Sequence, residues 1–143
     1  MSAFDIASIT ALLGAGFIGG LLCAFSFTVM QALDRIPAQK GMHAMQSINE
    51  VIQSPQLFLP FFGTVIAGGV AAAMGPGELL EGVRLHALIG TVLYAIGCVA
   101  VTAARNVPWN ERLDAVDPNA VASEQLWRAY VRVWTKWHHL RVV

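Results

Sequence analysis

The chain has 143 residues, of which 56% are hydrophobic and only 13% charged, against roughly 25% charged in a typical soluble domain. Nine basic and nine acidic residues cancel, so no global field exists to steer nucleic acid or an acidic substrate, and no nucleic-acid partner is expected. At this length a single helical-bundle domain over residues 1–143 is expected.

Three stretches carry no Asp, Glu, Lys or Arg: Ile6 to Leu33, Val51 to Gly77 and Leu85 to Ala104. Each holds the roughly 20 apolar residues that a helix needs to cross the hydrocarbon core of a bilayer. Lipid offers no water to pair with backbone N–H and C=O groups, so runs without β alternation can span only as helices. The expected class is therefore an all-α membrane protein, with spans at about 6–33, 56–76 and 84–105. Before the first run the only charged side chain is Asp5. Without a basic n-region, and far longer than the roughly 7–15 apolar residues of a signal peptide, this run reads as a retained span. It carries Gly14, Gly16, Gly19 and Gly20. Small residues at this spacing read as helix packing within the chain, with homodimerisation through Gly16 and Gly20 as the alternative.

After Asp34-Arg35-Ile36-Pro37, residues 38–54 read as an amphipathic interfacial helix. At 100° per residue Met42, Met45, Gln46, Asn49 and Gln53 share one face, and its polar half points to contact with something polar. The second span repeats the small-residue habit in Gly68, Gly69 and Ala71 to Ala73, and Met74-Gly75-Pro76-Gly77 ends it. The third has Gly90 and Gly97. Cys23 and Cys98 fall inside the first and third spans, outside any CxxC pattern, and read as buried small hydrophobes. No charged residue sits mid-span to form a transport relay.

Beyond the third span, Pro108 disfavours a helical Val107, which predicts a helix end near Arg105. Asn106 and Asn110 then bracket an interfacial turn with Trp109 as its aromatic anchor. Asp117-Pro118 reads as an N-cap opening a helix over about 118–141. On that helix Trp127, Tyr130, Trp134, Trp137 and Arg141 form one stripe flanked by His138, opposite Arg128, Arg132, Lys136 and His139. Such a stripe ordinarily packs against a bundle or the bilayer interface, and it also suits a flat aromatic ligand. Lys and Arg concentrate in the first loop and after residue 104. The expected topology in a cell inner membrane puts the N-terminus outside, with the first loop and residues 105–141 cytoplasmic.

Met45-Gln46-x-Ile48-Asn49, Gly63-Thr64, Asn106-Val107-Pro108-x-Asn110, Asp117-Pro118 and Trp134-Thr135-x-Trp137-x-His139-x-Arg141 occur in that order along roughly two-thirds of the chain. Together they resemble the anthrone oxygenase-like family of small membrane proteins, many of whose bacterial members have no known activity. The resemblance implies oxygenation of a polyketide anthrone to a quinone without an evident metal or flavin. Two departures stand out. The family commonly has Asn before its last His, where this chain has His138, and it continues into a fourth span, where this sequence stops at Val143. A continuation completing a four-helix bundle is the expectation.

Cofactor-free anthrone oxidation needs a base, donors for an oxyanion and a dry aromatic pocket. The resemblance nominates His139 as base, with His138 as its rival because it borders the stripe, and Arg141 to stabilise the anion. Asn49, Asn106 and Asn110 are candidate donors to substrate oxygens, and Trp134 and Trp137 candidate stacking walls. The bland alternatives are a solvated His, turn-holding Asn side chains and an Arg snorkelling to headgroups. Two other functions compete. One is a non-catalytic membrane protein that binds a quinone or lipid, or serves as a subunit of a larger membrane complex. The other is a haem or copper protein using His43 with Met42 or Met45, although four scattered histidines lack ligand spacing.

Overall fold

The computed structural model describes residues 1–78 and 81–142, and among them there is no strand. Five helices account for the fold of the described residues. α1 runs over Ala3–Asp34 and contains a π-helical segment at Phe25–Val29. α2 is Ala38–Ile52 and α3 is Pro55–Met74. α4 runs over Gly82–Asp114, interrupted by π segments at Ala95–Ala100 and Thr102–Asn106. α5 is Ser123–Val142. Among these, α1, α3 and α4 are long and apolar enough to cross a membrane.

The chain divides into two compact units. The first comprises Met1–Gly20 and Pro55–Val99. Ser2 and Asp5 cap α1 reciprocally: the Asp5 carboxylate accepts from the Ser2 N–H at 2.7 Å and the Ser2 hydroxyl from the Asp5 N–H. The α3–α4 turn closes through Gly77 at φ +85°, a left-handed conformation that glycine takes without strain. Arg84 covers the open end of α3, donating to the carbonyls of Ala72 at 2.9 Å, Ala73 at 3.0 Å and Gly77 at 3.0 Å. The carbonyls of Ala72 and Ala73 are among those a helix C-terminus leaves without partners, that of Gly77 belongs to the turn beyond it, and a cation there also suits the helix dipole. Not every glycine packs as expected. An added Cβ would collide with the Thr64 hydroxyl at Gly14, with the Thr91 hydroxyl at Gly68 and with the Arg84 side chain at Gly75. Gly16, Gly19, Gly20, Gly69, Gly90 and Gly97 have nothing within 4 Å. Close helix approach is thus confined to a few positions, and those hydroxyls bond the carbonyls one turn back on their own helices.

The second unit comprises Leu21–Ser54 and Ala100–Val143. It gathers the C-terminal parts of α1 and α4 with all of α2 and α5. Its core is Met30, Met42, Met45, Leu113, Trp127, Tyr130 and Trp134. Gly41 lets α2 approach, since a Cβ there would meet the Leu33 carbonyl at 2.7 Å and the Trp127 ring at 2.8 Å.

Three expectations change here. Residues 38–54 do form a helix to Ile52, but its shared face packs into protein. Gln46 accounts for the polar half: its amide donates to the carbonyls of Leu113 at 2.8 Å and Val116 at 2.9 Å, at the end of α4. Second, α4 does not stop near Arg105. Val107 is helical at φ −57°, ψ −49°, and Asn106 and Asn110 lie on helix, not on a turn. The π segment Thr102–Asn106 shifts the hydrogen-bond register, so Pro108 falls in a fresh first turn where a missing N–H costs least. Third, Asp117 caps its own tight turn, accepting from Asn119 N–H at 2.9 Å, and α5 starts later, at Ser123.

Candidate functional site

Within the second unit, α5 runs antiparallel to the end of α1. Its buried positions are Ser123, Trp127, Tyr130, Trp134 and His138, spaced by three or four residues, which puts them on one face. The rings stack in sequence: Trp127 on Tyr130 at 5.7 Å and 13°, Tyr130 on Trp134 at 5.7 Å and 21°, Trp134 on His138 at 4.5 Å and 13°. Phe25 of α1 closes against Trp134 and His138 with tilted rings.

His138 ends this ladder with both nitrogens committed. Its Nδ1 accepts from the Arg141 guanidinium, which has only donors. The proton therefore sits on Nε2, which donates to the Leu22 carbonyl at 2.9 Å. Burial lowers the His138 pKa to about 4, with the Arg141 charge acting in the same direction. Arg141 also donates to Thr102 Oγ1 at 2.8 Å and lies over the Trp134 ring. One turn beyond Thr102, Asn106 is buried and its Nδ2 donates to the Trp134 carbonyl at 3.2 Å. A further turn on, Asn110 Oδ1 accepts from the Tyr130 hydroxyl at 2.9 Å. Asn49 of α2 is also buried and donates to Asp114 Oδ1 at 3.1 Å. Burial raises the Tyr130 pKa above its ordinary value, with the Asp114 carboxylate adding to the effect, so the phenol stays a neutral donor.

Six of the eight residues nominated from the sequence thus lie along one strip of α5 and the helices facing it: Asn49, Asn106, Asn110, Trp134, His138 and Arg141. His139 is exposed on the other side of α5, its ring against Phe27 at 6.3 Å and 28°. Trp137 is half-buried and carries Arg105 on its face at 4.6 Å. Trp134, nominated as a stacking wall, has the rings of Tyr130 one turn before it and His138 one turn after it stacked on its own. Leu22, Ser26 and Thr102 join the strip although no motif named them. Their one sequence signal is a hydroxyl inside an apolar run, for Ser26 and Thr102, and nothing at all for a backbone carbonyl.

Among the described residues no three His, Cys, Asp or Glu side chains are grouped to hold a metal ion. His43 is exposed, whereas Met42 and Met45 point into the core. Cys23 and Cys98 form no disulfide. A surface cleft of about 300 Å³ lies near the start of α5, lined by Asp34, Ile36, Ala38, Glu124, Trp127 and Arg128, and includes none of the eight.

A family model described as anthrone oxygenase matches the chain over residues 49–143. No curated protein and no solved structure matches it. The matched segment contains all eight nominated residues and leaves out the Leu22 and Ser26 turns of α1.

Proposed function

Because the chain belongs to the anthrone oxygenase family, we propose that it is a membrane-embedded, cofactor-independent monooxygenase that converts an aromatic polyketide-type substrate to a quinone. The observation that carries this reading is the strip of amides, hydroxyls and a guanidinium, buried at Asn49 and Asn106 and half-buried at Thr102, Asn110 and Arg141, along the aromatic face of α5. The strip adjoins the rim of a span: Asn106 and Arg105 follow directly on the charge-free run Leu85 to Ala104, whose length as a helix is about 30 Å. An apolar aromatic substrate partitioned in lipid would reach it from there.

The chemistry balances with dioxygen alone. A base removes a proton from the central CH₂ of the anthrone, giving an aromatic anthranolate. Its electron pair forms a C–O bond to dioxygen, and the proton returns to the distal oxygen as a hydroperoxide. Loss of the remaining C–H proton with O–O cleavage gives the carbonyl and one water. In this scheme His139, whose ring is exposed near the end of α5, is the base that the family resemblance implies. His138 holds Arg141 in place through Nδ1, and Arg141 stabilises the oxyanion. Asn49, Asn106 and Asn110 hydrogen-bond the substrate's oxygens, and Trp137 supplies an aromatic wall.

Oxygen uptake by the purified protein in detergent with emodin anthrone tests this, against a no-protein control because anthrones autoxidise. Acceleration over the control is expected. His139→Ala should lower it about a hundredfold, and Arg141→Ala by a similar factor. A rate equal to the control overturns the oxygenase reading. The stacking of Trp134 with Tyr130 and His138 favours one second reading, in which the ladder is packing and the protein binds a quinone or lipid, or serves a larger membrane complex, without catalysis. A quinone or lipid that co-purifies in fixed ratio, without anthrone turnover, would support it.

A further inference from the structure

Ser26 lies outside the residues that match the family model and has no place in the scheme above. It sits in the π segment of α1, is 1% exposed, and its hydroxyl has no protein partner. A helical serine ordinarily bonds the carbonyl one turn back. Here that carbonyl belongs to Leu22 and takes the His138 Nε2–H.

Register places Ser26 opposite Trp134. On α1 it stands one turn beyond Leu22; on the antiparallel α5, Trp134 stands one turn before His138. Phe25, next to Ser26, touches both rings. Asn106 belongs to the same level, because its Nδ2 donates to the Trp134 carbonyl. That bond fixes the amide's orientation and leaves Oδ1 buried without a partner. Trp134 Nε1 is likewise buried and unpaired. Three helices thus bring to one level a donor, an acceptor and a hydroxyl that is both, and two of the three stand in π segments, where widened turns recur at functional sites.

The chemistry of this set selects its guest. Trp134 Nε1 only donates and Asn106 Oδ1 only accepts. A carbonyl or ether would leave Asn106 unpaired, and an ammonium would leave Trp134 unpaired. A hydroxyl satisfies both. We propose that Ser26 Oγ, Asn106 Oδ1 and Trp134 Nε1 form a hydroxyl-binding site, filled by a water molecule or by a phenolic hydroxyl of the ligand. The second source rests on the aromatic substrate proposed above; the first does not.

The test compares thermal unfolding of the purified full chain and its Ser26→Ala variant in detergent, with tryptophan-quenching titrations of emodin and of unhydroxylated anthraquinone. If water fills the site, Ser26→Ala lowers the unliganded Tm by about 2–4 °C. An unpaired hydroxyl gives the opposite sign, because removing it relieves a buried polar group and adds the helix preference of alanine. If a phenol fills the site, the unliganded Tm holds or rises, and the wild type prefers emodin over anthraquinone by about tenfold, a preference the variant loses. An unliganded Tm that does not fall, together with no emodin preference or one the variant keeps, overturns the proposal. The unliganded comparison stands whether or not the protein consumes oxygen.

Discussion

His138 and His139 are neighbours in sequence with opposite surroundings. The His138 ring is 1% exposed, stacked on Trp134 and bonded at both nitrogens, so folding favours its neutral form. Its pKa falls from 6.5 in the ordinary state to about 4 in the folded protein. A lowered base means that the unfolded chain binds the proton first. The contribution is complete above pH 6.5 and shrinks as pH falls toward 4. Thermal unfolding between pH 7 and 4 should therefore show a loss of Tm that is smaller in His138→Gln, which keeps a donor but cannot titrate. Equal slopes in the two proteins would mean that the ring does not carry the effect. His139 lies on the exposed side, and its substitution should register in turnover and leave stability nearly unchanged.

The elements are held less by propensity than by side chains that close helix ends. Gln46 carries two carbonyls at the end of α4 on one amide. Gln46→Ala leaves both without that donor and should cost about 1–3 kcal/mol, read as a lower Tm in detergent; an unchanged Tm would show that water replaces the amide at no cost. The sequence marked Gln46 and Asn49 as polar residues on an otherwise apolar face, and that signal was sound, but only the structure names the backbone and carboxylate they meet. Pro108 misled for a physical reason. The residue before a proline is disfavoured in the α region but not barred from it, and the π turn places Pro108 where its missing N–H costs least; nothing in Thr102–Asn106 announces such a turn. Asp117 misled similarly, since an Asx turn and an N-cap draw on the same residues.

At the scale of the whole chain, the three membrane-length helices were legible because charge-free apolar runs of 20 or more residues rarely occur except where a helix crosses lipid. The family was legible from motifs in order, and the match over residues 49–143 bears it out. The partners of the candidate site were not, because a stacked ladder on α5 says which residues are buried without saying that Leu22, Ser26 and Thr102 complete them. The positive charges carry an expected topology that labelling tests: with the first loop inside, Lys40→Cys resists a membrane-impermeant thiol reagent in intact cells while Glu78→Cys reacts, and the reverse pattern would invert the assignment. The π segments carry a last consequence. Each holds one residue more per turn than the helix around it, so deleting a residue there, Ala103 for instance, would restore an unbroken α-helix and leave the later side chains of α4 in register, because the widened turn is what absorbs the extra residue. Aligning Asn106 and Asn110 with those of any other sequence therefore requires counting the residues of α4 as well as matching their identities.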